Sequence, residues 1–210
     1  MVRQATLEDL HSVAKIHMEC FSGTVTARLG KLWNGKIVVD YYKEYFNDCP
    51  ELFLVAENDS GNVVGFCMGY KLENEGKSDK RLIKRHLLLI LFSFILLLLI
   101  GDKECWRKLK SFYKKGEKSD NKIIDSDIYN IPATDKVELF TIGIFEDYRG
   151  MAYGKDLILD YFEACRQVGR SVCLISYINE NVRAERFYYK YGCKSYLENG
   201  NNNKICYKLL

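Results

Sequence analysis

The chain has 210 residues, of which 48% are apolar and 28% charged, so it can bury one sizeable core and has the composition of a soluble globular domain. Its net charge of +3 is too small to indicate a nucleic-acid-binding protein. The eight cysteines form no Cys-x-x-Cys pair and stand mostly in apolar runs, which favours reduced core residues over a disulfide framework or a zinc site. The first six residues contain no apolar run, so we expect no secretory signal and a cytoplasmic location.

The chain begins with a predicted strand and a predicted helix. Residues 2–5 form the strand, and an apolar stripe from Leu10 to Phe21 predicts an amphipathic helix. His17 lies on that stripe, where packing in the core with a bond to the backbone is favoured over catalysis. Residues 22–36 are polar and contain three glycines, so we expect a loop or a broken helix there.

A second amphipathic helix and a hairpin are predicted next. The helix covers residues 37–46 and carries an aromatic cluster, which we expect to lie mostly in the core: Tyr41, Tyr42, Tyr45 and Phe46. Apolar residues over 52–56 and 63–70 predict two strands. The residues between them are typical of a turn, so the strands are expected to pair.

The segment 73–135 contains a long apolar run. From Leu87 to Ile100 only Ser93 is not apolar. A helix of this length spans about 21 Å, which is short of the roughly 30 Å hydrocarbon core and does not favour a transmembrane helix. Residues 79–115 also hold ten Lys or Arg and three acids, a local charge of +7. Three interpretations stay open: packing on the domain or a partner subunit, peripheral attachment to an anionic membrane, and contact with an apolar or lipid-linked substrate.

Residues 137–158 predict a strand, a turn and the start of a helix. Polar and apolar residues alternate up to Phe145, and an apolar stripe from Leu157 onwards predicts a helix that ends at Gly169. The turn between them is rich in small residues. A helix N-terminus has free N–H groups and a partial positive charge, so a pyrophosphate could bind here. The glycine spacing fits neither a P-loop nor a dinucleotide-binding fingerprint, but Arg149, Ala152 and Gly154 fill the pattern Arg/Gln-x-x-Gly/Ala-x-Gly/Ala.

A second motif follows a buried strand predicted over 172–178. It has the pattern Asn-x-x-Ala-x-x-Phe-Tyr-x-Lys-x-Gly, and the residues in register are Asn181, Ala184, Phe187, Tyr188, Lys190 and Gly192. Residues 192–197 and 204–209 predict two further strands, which are joined by the turn-rich stretch 199–203.

The two motifs, in this order and spacing, resemble the GNAT-type N-acetyltransferase superfamily. The resemblance covers about residues 2–72 and 136–210 and departs from the family where Cys193 replaces a usual Phe. It implies an α/β fold with a mixed, mostly antiparallel central sheet flanked by helices. The implied organisation is one N-acetyltransferase domain over 1–210, with a helical insertion over 73–135 between the third and fourth strands.

The resemblance also implies acetyl-CoA as cosubstrate, and no metal is predicted. Main-chain N–H groups of the turn would bind the pyrophosphate: Arg149, Gly150, Met151, Ala152, Tyr153 and Gly154. Main-chain groups of Ile142 and Ile144 would lie along the pantetheine arm, with the Ile144 N–H facing the thioester carbonyl. The Asn181 side chain would bond the pantetheine or position its helix.

Two side chains are the catalytic candidates. Tyr188 matches the family's motif tyrosine and would be the general acid for the coenzyme A thiolate. Glu138 resembles a strand glutamate of the histone-acetylating branch and would be the general base. Strand alternation predicts that it shares a face with Ile142 and Ile144, and apolar surroundings would raise its pKa. Glu57, His17 and water are the other candidates for the base.

The resemblance leaves the acceptor open. A primary amine of a small molecule is expected, for instance an amino sugar of surface-polysaccharide synthesis. The alternatives are a protein N-terminus or lysine, and a non-catalytic module that binds acyl-CoA. Further expected partners are a second copy of the chain and, through residues 80–115, the inner face of the membrane.

Overall fold

Eight strands form one sheet in the structure, a computed structural model that describes residues 1–113, 122–123, 126–199 and 203–210. Their bounds are β1 Val2–Gln4, β2 Phe53–Glu57, β3 Val63–Lys71, β4 Lys122–Ile123, β5 Lys136–Ile144, β6 Val172–Ile178, β7 Lys194–Asn199 and β8 Asn203–Leu209. The order across the sheet is β1-β2-β3-β5-β6-β8-β7-β4. Among the described strands only β5 and β6 pair in parallel, so the predicted mixed, mostly antiparallel sheet is confirmed.

Helices cover both faces of this sheet. Their bounds are α1 Leu10–Cys20, α2 Val25–Leu32, α3 Lys36–Asp48, α4 Lys77–Leu99, α5 Lys103–Tyr113, α6 Ser126–Asn130, α7 Tyr153–Gln167 and α8 Val182–Lys190. On one face, α1 and α3 bury apolar residues against β2 and β3, and we call this cluster the α1/α3 core; it includes Val13, Ile16, Tyr42, Phe66 and Tyr70. On the other face lies the α7/α8 core, which includes Val137, Leu139, Leu157, Tyr161 and Tyr188.

The stretch 22–36, predicted as a loop or a broken helix, contains the regular helix α2. Thr24 begins it, because the Thr24 hydroxyl accepts a hydrogen bond from the Ala27 N–H (3.3 Å). Gly30 lies inside α2, where a Cβ would collide with the side chain of Val38 on α3. Gly30, one of the glycines that suggested a loop, therefore allows α2 and α3 to approach each other closely.

The segment 73–135 is largely helical, as predicted. It contributes α4, α5 and α6, and also the two-residue strand β4, which pairs with the end of β7. Residues 114–121 and 124–125 of the segment lie outside the described residues, as does part of the predicted turn 199–203. All eight cysteines are free thiols and seven are buried, in agreement with the prediction of reduced core residues.

Candidate active site

An opening between β5 and β6 is the central feature of the candidate site. The two strands pair only from Lys136 to Leu139 on β5 and from Val172 to Ile175 on β6. Beyond these residues β5 stays paired with β3, while β6 stays paired with β8. A cavity of about 250 Å³ lies at this divergence, and it is lined by Glu138, Phe140, Ser176, Tyr177, Ile178 and Asn203.

The main chain of β5 presents polar groups to this opening. The Phe145 N–H donates to the Val64 carbonyl of β3 (3.0 Å). Since main-chain groups of successive strand residues point to opposite edges, the N–H groups of Ile144 and Ile142 point toward the diverging β6. The opening can therefore accept an extended arm as a further hydrogen-bonded strand. This geometry agrees with the predicted place of the pantetheine, although the contact itself stays a prediction.

The turn after β5 brings a helix N-terminus to the end of the opening. Gly150 has φ +86°, a left-handed conformation that favours glycine, and Ala152 is the residue before α7. The first hydrogen bond of α7 runs from the Asp156 N–H to the Ala152 carbonyl (3.0 Å). The N–H groups of residues 153–155 precede this ladder and are directed out of the helix. A Cβ at Gly154 would lie 3.3 Å from Ile144 Cδ1, so glycine allows the helix to approach β5 closely.

The other residues of the predicted cradle are held in different ways. Arg149 folds back, and its Nε donates to the Ile144 carbonyl (3.1 Å), which also accepts from the Cys20 thiol (3.1 Å). Met151 is 58% exposed, whereas Tyr153 packs against the α7/α8 core. The Arg149 side chain thus fixes the turn against the end of β5, and the phosphate-binding groups would come from the main chain.

A β-bulge at Phe140 interrupts β5. Met68 of β3 pairs with Thr141, but the next residue, Gly69, pairs with Leu139. Phe140 is therefore an extra residue on β5 without a partner in this ladder. A bulge of this kind inverts the alternation of faces along the strand, so the residues before and after it follow opposite phases.

The bulge overturns the prediction that Glu138 shares a face with Ile142 and Ile144. The two isoleucines pack against the α7/α8 core, whereas Glu138 lies on the opposite face and contacts Tyr70 of the α1/α3 core. The prediction assumed strict alternation, which fails across the extra Phe140. Glu138 still lines the cavity, because it stands where β5 and β6 separate.

Glu138 is a half-buried carboxylate with two hydroxyl partners. The Tyr70 hydroxyl donates to Oε2 (2.7 Å) and the Ser176 hydroxyl to Oε1 (3.1 Å). Burial raises the pKa of Glu138, and the two hydroxyls oppose the rise because they favour the charged form. The predicted direction of the pKa shift is confirmed. A carboxylate with a raised pKa beside a cavity can take a proton from a bound ligand.

Aromatic rings form a wall beside this carboxylate. The Phe140 ring is 39% exposed and stacks on Tyr45, with centroids 5.3 Å apart and an interplanar angle of 16°. Tyr41 and Tyr70 complete the group, with centroids 6.4 Å and 5.7 Å from the Phe140 ring. Of the predicted cluster on α3, Tyr41 and Tyr45 therefore pack against Phe140 behind the cavity lining, whereas Tyr42 is fully buried in the α1/α3 core.

Tyr188 lies on the face opposite to Glu138. It is buried in the α7/α8 core, and burial raises the pKa of its hydroxyl above the usual value, so the group is protonated at neutral pH. Its ring centroid is 5.9 Å from that of Tyr177, which lines the cavity. The candidate acid and base thus lie on opposite faces of the sheet, Glu138 in the cavity lining and Tyr188 behind Tyr177.

The remaining candidates serve packing and capping. The Asn181 side chain accepts from the Ala184 N–H (3.1 Å) and caps α8, so of its two predicted roles the positioning of the helix is the one observed. His17 is packed as expected, but its Nδ1 is 2.7 Å from the Tyr42 hydroxyl rather than bonded to the backbone. Burial lowers the pKa of His17 to about 4, so it is neutral at pH 7. Glu57 accepts two hydrogen bonds from Arg3, far from the cavity at the β1–β2 edge.

Sequence reasoning missed Phe140, Tyr70 and Ser176 as parts of the site. A glycine inside a predicted strand is a known indicator of a bulge, and Gly69 was such a signal. A Cβ at Gly69 would collide with the Tyr161 hydroxyl and with the Glu138 carbonyl. The glycine is thus required opposite the bulge that exposes Phe140.

Comparison with known proteins gives relatives in structure only. No family model matches the chain, and no curated protein matches it. A structure of SsHAT has a TM-score of 0.63 at 15% identity, with 100% of this chain and 97% of that chain covered. Ard1 from Thermoplasma volcanium has a TM-score of 0.57 at 16% identity, with 100% and 97% covered.

A third similar structure contains a bound cofactor. It is yncA from Salmonella typhimurium, described with its cofactor acetyl-CoA, and it has a TM-score of 0.55 at 14% identity. The match covers 100% of this chain and 93% of the yncA chain. At these identities the likeness establishes the fold, and the predicted fold is confirmed: the chain has the fold of the GNAT-type acetyltransferases.

Proposed function

We propose that this chain is an N-acetyltransferase that moves the acetyl group of acetyl-CoA to a primary amine of a small molecule. The observation that carries the proposal is the opening between β5 and β6, with the N-terminus of α7 at its end. Main-chain N–H groups line the opening, and helix N–H groups stand where a pyrophosphate would be held. The residues present therefore fit the cosubstrate that the fold implies.

Acetyl-CoA would supply an activated acyl group as a thioester, and three groups of the chain would act on the transfer. Glu138 would take the proton of the incoming ammonium group, which leaves a neutral amine able to attack the thioester carbonyl carbon. The Ile144 N–H would stabilise the negative charge that develops on the carbonyl oxygen. As the carbon–sulfur bond breaks, the Tyr188 hydroxyl would give its proton to the departing sulfur, and the excess proton of the new amide nitrogen would return Tyr188 to its protonated form through solvent.

The cavity supports a small acceptor. At about 250 Å³ it is small, and it combines a carboxylate with an exposed aromatic face at Phe140. An ammonium group is attracted both to the carboxylate and to the faces of aromatic rings. A sugar ring carrying an amine could place its amine at Glu138 and its apolar face against Phe140.

A panel of acceptors tests this assignment. We expect coenzyme A release from acetyl-CoA, followed with a thiol reagent, to be fastest with amino sugars and other small primary amines. Peptides with a free N-terminus or an accessible lysine are the comparison set. Faster release with the peptides would identify a protein acetyltransferase. Tight acetyl-CoA binding without release on any acceptor would identify a non-catalytic module.

Replacing Tyr188 with Phe should slow turnover and leave binding intact. The substitution keeps the buried ring and removes only the hydroxyl, and a general acid typically contributes about 100-fold or more to a rate. We expect kcat to fall about 100-fold while the calorimetric Kd for acetyl-CoA changes little. Tyr191→Phe, which packs against the same α7/α8 core and lies outside the cavity lining, is the matched control. An unchanged kcat in the Tyr188 variant would remove this hydroxyl from the mechanism.

A further inference from the structure

The helix α4 has two unlike halves, divided at a kink. His86 has non-helical backbone angles (φ −117°, ψ 20°). The half before it is basic, and Arg81 and Arg85 form salt bridges with Glu44 of α3 (2.9 and 2.7 Å). The half after it is the apolar run predicted from the sequence. The two halves therefore have different contacts with the domain.

One stripe of the apolar half is attached to α2. Ser93 and Leu97 are buried there, and Leu97 joins a small core with Leu29 of α2. The Trp33 indole donates to the Ser93 hydroxyl (2.7 Å). Just after α4, Asp102 forms a salt bridge with Arg28 of α2 (3.0 Å). These contacts fix which face of the helix looks outward.

The outward face is apolar over its whole length. Its side chains are between 37% and 82% exposed, and they recur at helical spacing: Leu87, Leu88, Leu91, Phe92, Ile95, Leu96, Leu99 and Ile100. We call these eight residues the α4 apolar face. A continuous patch of large apolar side chains is far beyond the scattered exposed residues of an ordinary surface and marks a place of interaction.

Exposed bases stand at both ends of this face. Lys84 and Lys80 lie one and two turns before Leu88, and Lys103 follows the face on α5. In the part of the chain that the structure describes, no salt bridge joins these three lysines to an acid. The sequence has no acid between residues 79 and 102. The acids beside Lys103 are paired, Asp102 with Arg28 and Glu104 with Arg107, so among the described residues the three lysines are the exposed charges that no salt bridge offsets at the ends of the face.

Trp106 adds an amphipathic ring at the end of the face. Its side chain is 44% exposed, and its indole N–H donates to the Leu98 carbonyl (3.0 Å). Trp at the edge of an apolar surface is typical of the boundary between lipid and water. Apolar side chains with Lys on the polar side and Trp at the edge are the composition of helices that lie in a membrane interface.

The contacts of α4 favour a helix that lies along a membrane. By length and composition the stretch Leu72–Leu99 could cross a bilayer, with a mean hydropathy of 2.3 in its most apolar window. The outward apolar part alone, residues 87–100, spans about 21 Å, less than the roughly 30 Å of hydrocarbon. The opposite side of this part of the helix, which includes Leu97, also packs against α2.

We propose that the α4 apolar face docks on an anionic lipid surface, with the helix in the plane of the interface. Leu88, Phe92 and Leu99 would insert among the acyl chains. Lys80, Lys84 and Lys103 would meet the anionic headgroups. The proposal does not depend on acetyl transfer, because every contact that carries it lies outside the β5–β6 opening.

Vesicle co-sedimentation of the full chain tests the proposal. We expect the wild type to pellet with vesicles of phosphatidylglycerol and phosphatidylcholine at low salt, and less at high salt. The double variant Leu88→Glu/Ile95→Glu should bind at least about tenfold more weakly, because charged side chains are costly in the acyl region. Leu159→Glu, at a 42% exposed position on α7, is the matched control and should bind like the wild type.

The charge component has its own variant and control. Lys80→Glu/Lys84→Glu should weaken binding about tenfold at low salt, whereas Lys15→Glu on α1 should have little effect. The proposal would be overturned if the wild type pelleted with the vesicles neither at low salt nor at high salt. Sedimentation velocity showing a stable dimer that Leu88→Glu/Ile95→Glu converts to monomers would also overturn it, because a second copy would then cover the face. Circular dichroism confirms that each variant is folded.

Discussion

The Ala152→Glu variant is expected to lose at least about 100-fold in affinity for acetyl-CoA and to keep its fold. Ala152 precedes the first turn of α7, where the pyrophosphate would lie against main-chain N–H groups. A carboxylate there occupies the space of the phosphates and repels their charge. The same carboxylate interacts favourably with the positive end of the helix dipole, so the free energy of unfolding should not fall. Isothermal titration calorimetry and thermal unfolding measure the two effects.

Ala152→Gln is the matched control for charge. Its side chain has almost the same size as Glu but no charge, so the difference between the two variants isolates repulsion of the phosphates. We expect the Gln variant to bind with an affinity between those of the wild type and the Glu variant. Equal affinity in all three proteins would place the phosphates elsewhere. Absence of binding in the folded wild type would mean that the fold is kept without its cosubstrate.

The Glu138→Gln variant is expected to lose about 100-fold or more in kcat/KM at neutral pH. Gln keeps the size of the side chain, and its one carbonyl oxygen can still accept from one of the two hydroxyls, but it cannot take a proton. In the wild type, activity should fall as the pH decreases through the raised pKa of Glu138, because only the ionised form is a base. This acidic limb should be absent from the pH profile of the variant.

The free energies of unfolding of the wild type and of Glu138→Gln should also diverge in the pH range near the raised pKa of Glu138. The pKa of Glu138 is higher in the folded chain than in the unfolded chain, so the folded state holds the proton more tightly. Relative to Glu138→Gln, the wild type should gain free energy of unfolding as the pH falls from the folded toward the unfolded pKa. Urea unfolding at several pH values measures this difference.

Tyr70→Phe is the control for the carboxylate's surroundings. It removes one hydroxyl that favours the charged form, so the pKa of Glu138 should rise further and the acidic limb should move to higher pH. The maximal rate at high pH should change little. Wild-type activity in Glu138→Gln over the whole pH range would show that Glu138 is not the base.

Elements set by local signals could be predicted closely from the sequence. The strand predicted over 172–178 has the bounds of β6, because its apolar run is uninterrupted. The helix before it, α7, ends at Gln167, two residues before the predicted stop at Gly169, which has φ +73°. In both cases the determining residues lie within or next to the element itself, so no knowledge of the tertiary structure was needed.

The faces of β5 could not be predicted from alternation alone. The bulge depends on how β5 pairs with β3, which is a property of two strands far apart in the chain. The same holds for α2, where Gly30 is required by Val38 of the neighbouring helix. The pattern of residues predicts which elements form. Contacts between elements decide which face of a strand each side chain occupies and where a glycine is required inside a helix.

The apolar run 87–100 shows a third limit. Its composition indicated that something must bury it, and packing on the domain was one interpretation. The structure shows packing along one stripe only, since Ser93 and Leu97 are buried while Leu88 and Leu99 are about four-fifths exposed (82% and 79%). A helix that is apolar on every side carries no periodic signal for which stripe will pack.

The bulge at Phe140 also bears on how this chain could change during evolution. Substitutions at 140 would alter the cavity wall and leave the carboxylate where it is. Deletion of Phe140 would remove the bulge, and the regular ladder that results would keep Glu138 and the two isoleucines on their present, opposite faces. A change in strand length at this position would therefore remove the Phe140 ring from the cavity wall and leave Glu138 where it is.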